Sequence, residues 1–142
     1  VQEIDVNQTI LIVIGIDLKP EEIDRPIAYQ LKKEIESSSK FDNHPFRKCI
    51  VISDSLYAHD KILQACPTIA IGGPGVNSAA AKFVEKLPVY LSKDNEYYIQ
   101  LEKDFKNQKI SIWGMDRETT KEAVETFIAN EILSDFLKTI WK

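Results

Sequence analysis

Ile10, Leu11, Ile12, Val13 and Ile14 are consecutive apolar residues, all but one β-branched, with no polar residue among them. A strand with one wet face alternates apolar and polar positions. An unbroken run needs cover on both faces, as in a parallel sheet. Cys49-Ile50-Val51-Ile52, Thr68-Ile69-Ala70-Ile71 and Ile110-Ser111-Ile112-Trp113 read as further strands. Val89-Tyr90-Leu91 reads as a short fourth strand, and residues 97–101 alternate as a sheet edge with one wetter face would.

Helical periodicity fills the intervals. Residues 24–35 place Ile27, Ala28, Leu31 and Ile35 on one face, with Asp24 as a cap and Pro26 in the first turn. Residues 58–65 supply a short crossover helix. Asn77 or Ser78 caps a helix carrying Ala80, Phe83, Val84 and Leu87 and stopped by Pro88. After Gly114-Met115-Asp116 the longest helix carries Val124, Ile128, Ile132, Phe136 and Ile140 beside Ala123, Phe127, Leu133 and Leu137.

Strands alternating with helices imply right-handed βαβ units. The expectation is one domain over residues 1–142, a three-layer Rossmann-like or flavodoxin-like α/β fold with a mostly parallel sheet and helices on both faces.

Charge narrows the partners. With 18 Lys and Arg against 22 Asp and Glu, and basic doublets only at Lys32-Lys33 and Arg47-Lys48, the chain lacks the basic stripe of a nucleic-acid binder. Two cysteines make neither a disulfide framework nor a zinc spacing. No apolar run is long enough for a membrane span and no succession resembles a signal peptide, so a cytoplasmic location is expected.

In open α/β sheets ligands bind beyond the carboxyl ends of the strands. Those ends carry Asp17, the triplet Ser53-Asp54-Ser55, the loop Gly72-Gly73-Pro74-Gly75-Val76-Asn77-Ser78, and Gly114-Met115-Asp116-Arg117. Side-chain-free glycines let backbone amides and a helix N-terminus approach an anion. Gly72, Gly73, Gly75, Asn77 and Ser78 therefore form a candidate cradle, which a tight structural turn would equally explain. The loop lacks the Gly-Lys-Ser/Thr of a P-loop, and its glycine spacing departs from the dinucleotide fingerprint. Asp17, Asp54 and Asp116 would gather as a general-base or cation cluster only if their strands are neighbours, and each reads equally as a loop or cap residue. Arg117 is placed either to clamp an anion or to pair with a nearby acid. His44 and His59 read as surface histidines. Cys66 is a nucleophile only if a base lowers its pKa, and Tyr97, Tyr98 and Trp113 read as packing.

Two segments, Ile71-Gly72-Gly73-Pro74-Gly75-Val76-Asn77-Ser78 and Gly114-Met115-Asp116-Arg117-Glu118-Thr119-Thr120, resemble the bacterial type-2 cell-wall-binding repeat, covering about half of the chain. Glu118 and Lys121 stand where that family usually has an aromatic residue and an alanine, and the chain has no tandem copies. The resemblance implies a Rossmann-like topology and a surface-associated binding role.

The residues themselves favour a protein that binds an anionic small molecule or nucleotide at the glycine loop, with Asp17, Asp54, Asp116 and Arg117 around it. They name no catalytic residue, metal or cofactor. The alternative is a non-catalytic homodimer built on the long C-terminal helix and the 97–101 edge.

Overall fold

The apolar run at residues 10–14 forms an interior strand of a six-stranded sheet, one position in from an edge, and each of its residues is 0% exposed. The computed structural model describes residues 4–15, 18–41 and 44–141. Its strands are β1 (Thr9–Ile14), β2 (Lys48–Ser53), β3 (Thr68–Ile71), β4 (Val89–Lys93), β5 (Tyr97–Leu101) and β6 (Lys109–Gly114). Its helices are α1 (Leu18–Glu36), α2 (Asp54–Ala58), α3 (Lys61–Gln64), α4 (Ser78–Lys86), α5 (Arg117–Ala129) and α6 (Ile132–Ile140).

Strand order is β2-β1-β3-β6-β5-β4. β1 pairs in parallel with β2 and β3, and β3 with β6. β5 is antiparallel to both β6 and β4.

Side-chain alternation sorts β1 between two cores. Ile10, Ile12 and Ile14 join Leu31 of α1, Phe127 of α5, and Phe136 and Trp141 at the C-terminal end. Leu11 and Val13 join Tyr57, Leu63, Phe83 and Leu87 on the opposite face.

The expectation of a three-layer, mostly parallel Rossmann-like or flavodoxin-like domain is corrected: the sheet is mixed, with an antiparallel end. The reason lies in the connections. A parallel crossover takes a dozen or more residues, whereas only residues 94–96 join β4 to β5 and only 102–108 join β5 to β6. Asp94 (φ 43°) and Asn95 (φ 62°) adopt the left-handed backbone of a tight hairpin. On the second face the helical core stops short of β4 and β5. There Tyr98 lies half-buried against Trp113, ring centroids 4.6 Å apart.

Other expectations shift with this geometry. Residues 97–101 are an interior strand, and the edge is β4, where Val89 and Tyr90 are exposed. The long C-terminal helix is two helices, broken where Glu131 takes φ 64°. Its apolar stripe crosses the break and is consumed by the core, Phe136 being 0% exposed. The first helix begins at Leu18, so Asp24 and Pro26 lie inside it rather than at its start. His59 caps the end of α2, and Asp60 opens α3.

The glycines differ in what they tolerate. Gly72 has φ +107°, and a Cβ there would stand 2.6 Å from Asp24 Oδ2, whereas a Cβ on Gly75 would meet nothing within 4 Å. Gly72→Ala is expected to destabilise the fold by about 1–3 kcal/mol in urea unfolding, with Gly75→Ala within about 0.5 kcal/mol of wild type.

Candidate functional site

The order β2-β1-β3 puts a switch in chain direction between β1 and β3, because β1 is followed by β2 on one side and joined by β3 on the other. The protein's own groups occupy the carboxyl end of that junction. Asn77 is 1% exposed and uses all four of its amide hydrogen-bonding positions. Its Nδ2 donates to Val13 O (3.0 Å) and Ile71 O (2.9 Å). Its Oδ1 accepts from Ala79 N (3.0 Å) and Ala80 N (3.3 Å) at the start of α4.

The cradle is closed in the same way. Val76 N and Asn77 N both donate to Gly73 O, at 3.1 and 3.0 Å, and Gly72 N donates to Ile112 O at 3.0 Å. Ala81 N donates to Asn77 O at 3.0 Å. The remaining first-turn amide, Ser78 N, donates to Asp54 Oδ2 at 2.9 Å. An internal carboxylate thus sits where the helix N-terminus would attract an external anion.

The structure therefore brings Gly72, Gly73, Asn77, Ser78 and Asp54 together, with Gly75 at the exposed tip of the loop. Asp116 and Arg117 are exposed beyond β6, separated from the end of β2 by β1 and β3. Asp116 caps α5 through Thr119 N (2.9 Å), and the Thr119 amide and hydroxyl hold its carboxyl below the ordinary value. Arg117 is the first residue of α5. Asp17 lies outside the described residues. Among those described, no group of three acidic, histidine or cysteine side chains is arranged to hold a metal ion.

Other candidates have structural placements. Cys66 is fully buried, and burial raises its thiol pKa, the reverse of what a nucleophile needs. Burial also pushes Cys49 up to about 12. Trp113 Nε1 donates to Gln100 Oε1 (2.8 Å), and Gln100 Nε2 to Leu87 O (2.9 Å), fixing the aromatic pair beside α4. Tyr97 lies in the first core, its hydroxyl 3.1 Å from Thr126 Oγ1.

Asp24, expected as a helix cap, and three lysines take positions at the site that the sequence pattern does not announce. Asp24, 4% exposed, sets its carboxylate against Gly72, and burial pushes its pKa up to about 6. Lys82, Lys86 and Lys109 line one groove of about 310 Å³ between α2–α3 and α4. Asp54 and Ser78 border the same groove, and Tyr57, Phe83 and Leu87 give it apolar surface. Lys109 Nζ donates to Gln64 O and Cys66 O, both at 2.6 Å, and desolvation brings its pKa down to about 8. Among the described residues neither Lys82 nor Lys86 has an ion-pair partner. The available signals were the four-residue spacing of Lys82 and Lys86 and a lysine opening an apolar strand.

No protein-family model matches the chain, and no curated protein matches it. No helix among the described residues is long and apolar enough to cross a membrane.

Asn77→Asp keeps an oxygen for the α4 amides but turns a carboxylate toward Val13 O and Ile71 O. The expected loss is about 2–4 kcal/mol by denaturant unfolding.

Asp24 has a folded pKa above its unfolded value, so the native state binds the extra proton between about 3.8 and 6. Stability is fully present below that window and falls as pH rises through it, by up to about 3 kcal/mol. Asp24→Asn is expected to remove this fall, so that its melting temperature exceeds wild type at pH 7 by more than at pH 4.

Proposed function

We propose that the chain binds an anionic small molecule, a phosphorylated metabolite or a nucleotide, in the groove between α2–α3 and α4. The observation that carries this reading is the convergence of Lys82, Lys86 and Lys109 on one groove in a chain of net charge −4. Local positive potential in an acidic protein selects a compact anion rather than a polyanionic backbone. The groove's volume, about 310 Å³, is at the lower end of small-ligand sites and large enough for a sugar phosphate.

The lysines divide the work. Lys82 and Lys86 lie on the exposed side of α4, where they are available to a ligand. Lys109 is held by two carbonyls at the end of α3 and extends the positive surface toward the amino end of β6. Phe83 and Leu87 lie between helix and sheet and offer apolar contact to the ligand's uncharged part. The buried free thiols Cys49 and Cys66 support the expected reducing, cytoplasmic setting.

The test is a thermal-shift series with pyrophosphate, nucleotides, sugar phosphates and small carboxylates. Wild type is expected to gain several degrees at saturating ligand, because a ligand binding only the folded state adds RT ln(1 + [L]/Kd). The Lys82→Glu, Lys86→Glu double variant should retain its fold and lose the gain. No shift with any anion, or an equal shift in the double variant, would overturn the reading.

A further inference from the structure

Asp54 is 8% exposed, and its Oδ2 is engaged by Ser78 N, but its Oδ1 is buried with no hydrogen-bond partner. A carboxylate offers about four acceptor positions, and burying one oxygen unsatisfied is unfavourable. The same side chain borders the lysine groove. Because the Ser78 bond uses one position only, a small rotation of the carboxylate keeps that bond and turns a vacant lone pair toward the groove. A hydroxyl donated by a ligand in the groove would satisfy it.

A carboxylate by itself would repel an anion. The ligand that suits both features bears its negative charge at one end and a hydrogen-bond donor at the other. Ser78, Lys82 and Lys86 follow one another at four-residue steps along α4, so successive side chains are about 6 Å apart along the axis. That spacing is of the order of the distance from the phosphate of a pentose phosphate to its ring hydroxyls. A hydroxyl suits the donor role better than an ammonium, which Lys82, Lys86 and Lys109 would repel. Gln64 and Asn107 line the other side, and Gln64 Nε2 is already committed to Tyr57 O (2.9 Å) and Ala58 O (3.2 Å), leaving its carbonyl oxygen to accept from a second hydroxyl.

We infer that the groove takes a hydroxyl-bearing phosphate, a sugar phosphate or the ribose phosphate of a nucleotide, with a hydroxyl donating to Asp54 and the phosphate held by Lys82 and Lys86. This rests on the anion-binding reading and adds the chemical class of the ligand. Asp54 on this account is a specificity residue: it selects hydroxylated phosphates over bare ones at some cost in attraction for the charge itself.

The test compares three probes by calorimetric titration of the full chain: pyrophosphate, ribose 5-phosphate, and tetrahydrofurfuryl phosphate, which keeps the ring and phosphate without hydroxyls. Wild type is expected to bind ribose 5-phosphate about tenfold or more tightly than the hydroxyl-free analogue, the effect of a hydrogen bond to a charged group. Asp54→Asn keeps an oxygen for Ser78 N and should bring that ratio to within about twofold, while leaving the analogue's affinity unchanged or higher. The wild-type comparison of the two ring phosphates stands without any variant. Equal wild-type affinities, or a preference that survives Asp54→Asn, would overturn the hydroxyl assignment and leave the anion site intact. Failure of all three probes, pyrophosphate included, would overturn both.

Discussion

One buried amide holds together the parts of this fold that the rest is built around. Asn77 joins the carboxyl ends of β1 and β3 through its nitrogen and the first turn of α4 through its oxygen. Val13 lies next to the end of β1 and Ile71 is the last residue of β3, so one amide reaches the carbonyls of both neighbouring strands; α4 begins there and leaves amides that no preceding turn accepts. A single planar group with two donors and two acceptor sites ties the strands together and caps the helix. The consequence reaches the function. The crevice where open α/β sheets usually admit ligands is bridged by the protein itself, and the recessed, lysine-lined surface lies alongside α4 instead.

The electrostatics of that helix follow the same logic. Asp54 is drawn under the α4 N-terminus by the Ser78 amide, a favourable place for a negative charge. At the far end of the groove, Lys109 sits against the carbonyls of Gln64, the last residue of α3, and of Cys66 just beyond it, a favourable place for a positive one. The groove therefore has an acceptor end and a cationic end, each fixed by backbone dipoles rather than by an opposing side chain. Asp24 is different. Its carboxylate is confined by the backbone of Gly72 with no compensating donor among the described residues, so its ionisation works against the folded state near neutral pH.

Much of the architecture is legible in the residue pattern. The unbroken run at residues 10–14 announces a strand buried on both faces, and Asn77 is recognisable as a helix cap. What misleads is treating every strand-to-strand interval as a potential crossover. The three residues between Lys93 and Tyr97 have room for a hairpin alone, and the Asp94-Asn95 pair is of the type that tolerates its left-handed backbone. The C-terminal stripe misleads for another reason: its four-residue repeat runs through Glu131, whose backbone reverses hand without disturbing which side faces the core. The candidate site is less legible. Glycines suggest an open anion cradle, but whether a cradle is open depends on what stands beneath it. Asp54 arrives from a strand two positions away in the sheet, and no local pattern announces that encounter.

The two ends of the sheet also differ in how far apart in sequence their partners lie. Lys93 and Tyr97 pair across a tight turn and Leu101 reaches Ile110 across a short loop, whereas Leu11 pairs with Thr68 and Thr9 with Lys48 only after long intervening segments have been ordered. Loop closure is entropically cheaper for the first set, so the β4-β5-β6 meander is the natural early template on the folding pathway. The β1–β2 and β3–β6 pairings span similar intervals, Thr9 to Lys48 and Thr68 to Lys109, and the β1–β3 pairing, Leu11 to Thr68, spans the longest. The Asn77 bridge to Val13 crosses that seam, so it ties down the junction whose closure costs the chain most entropy.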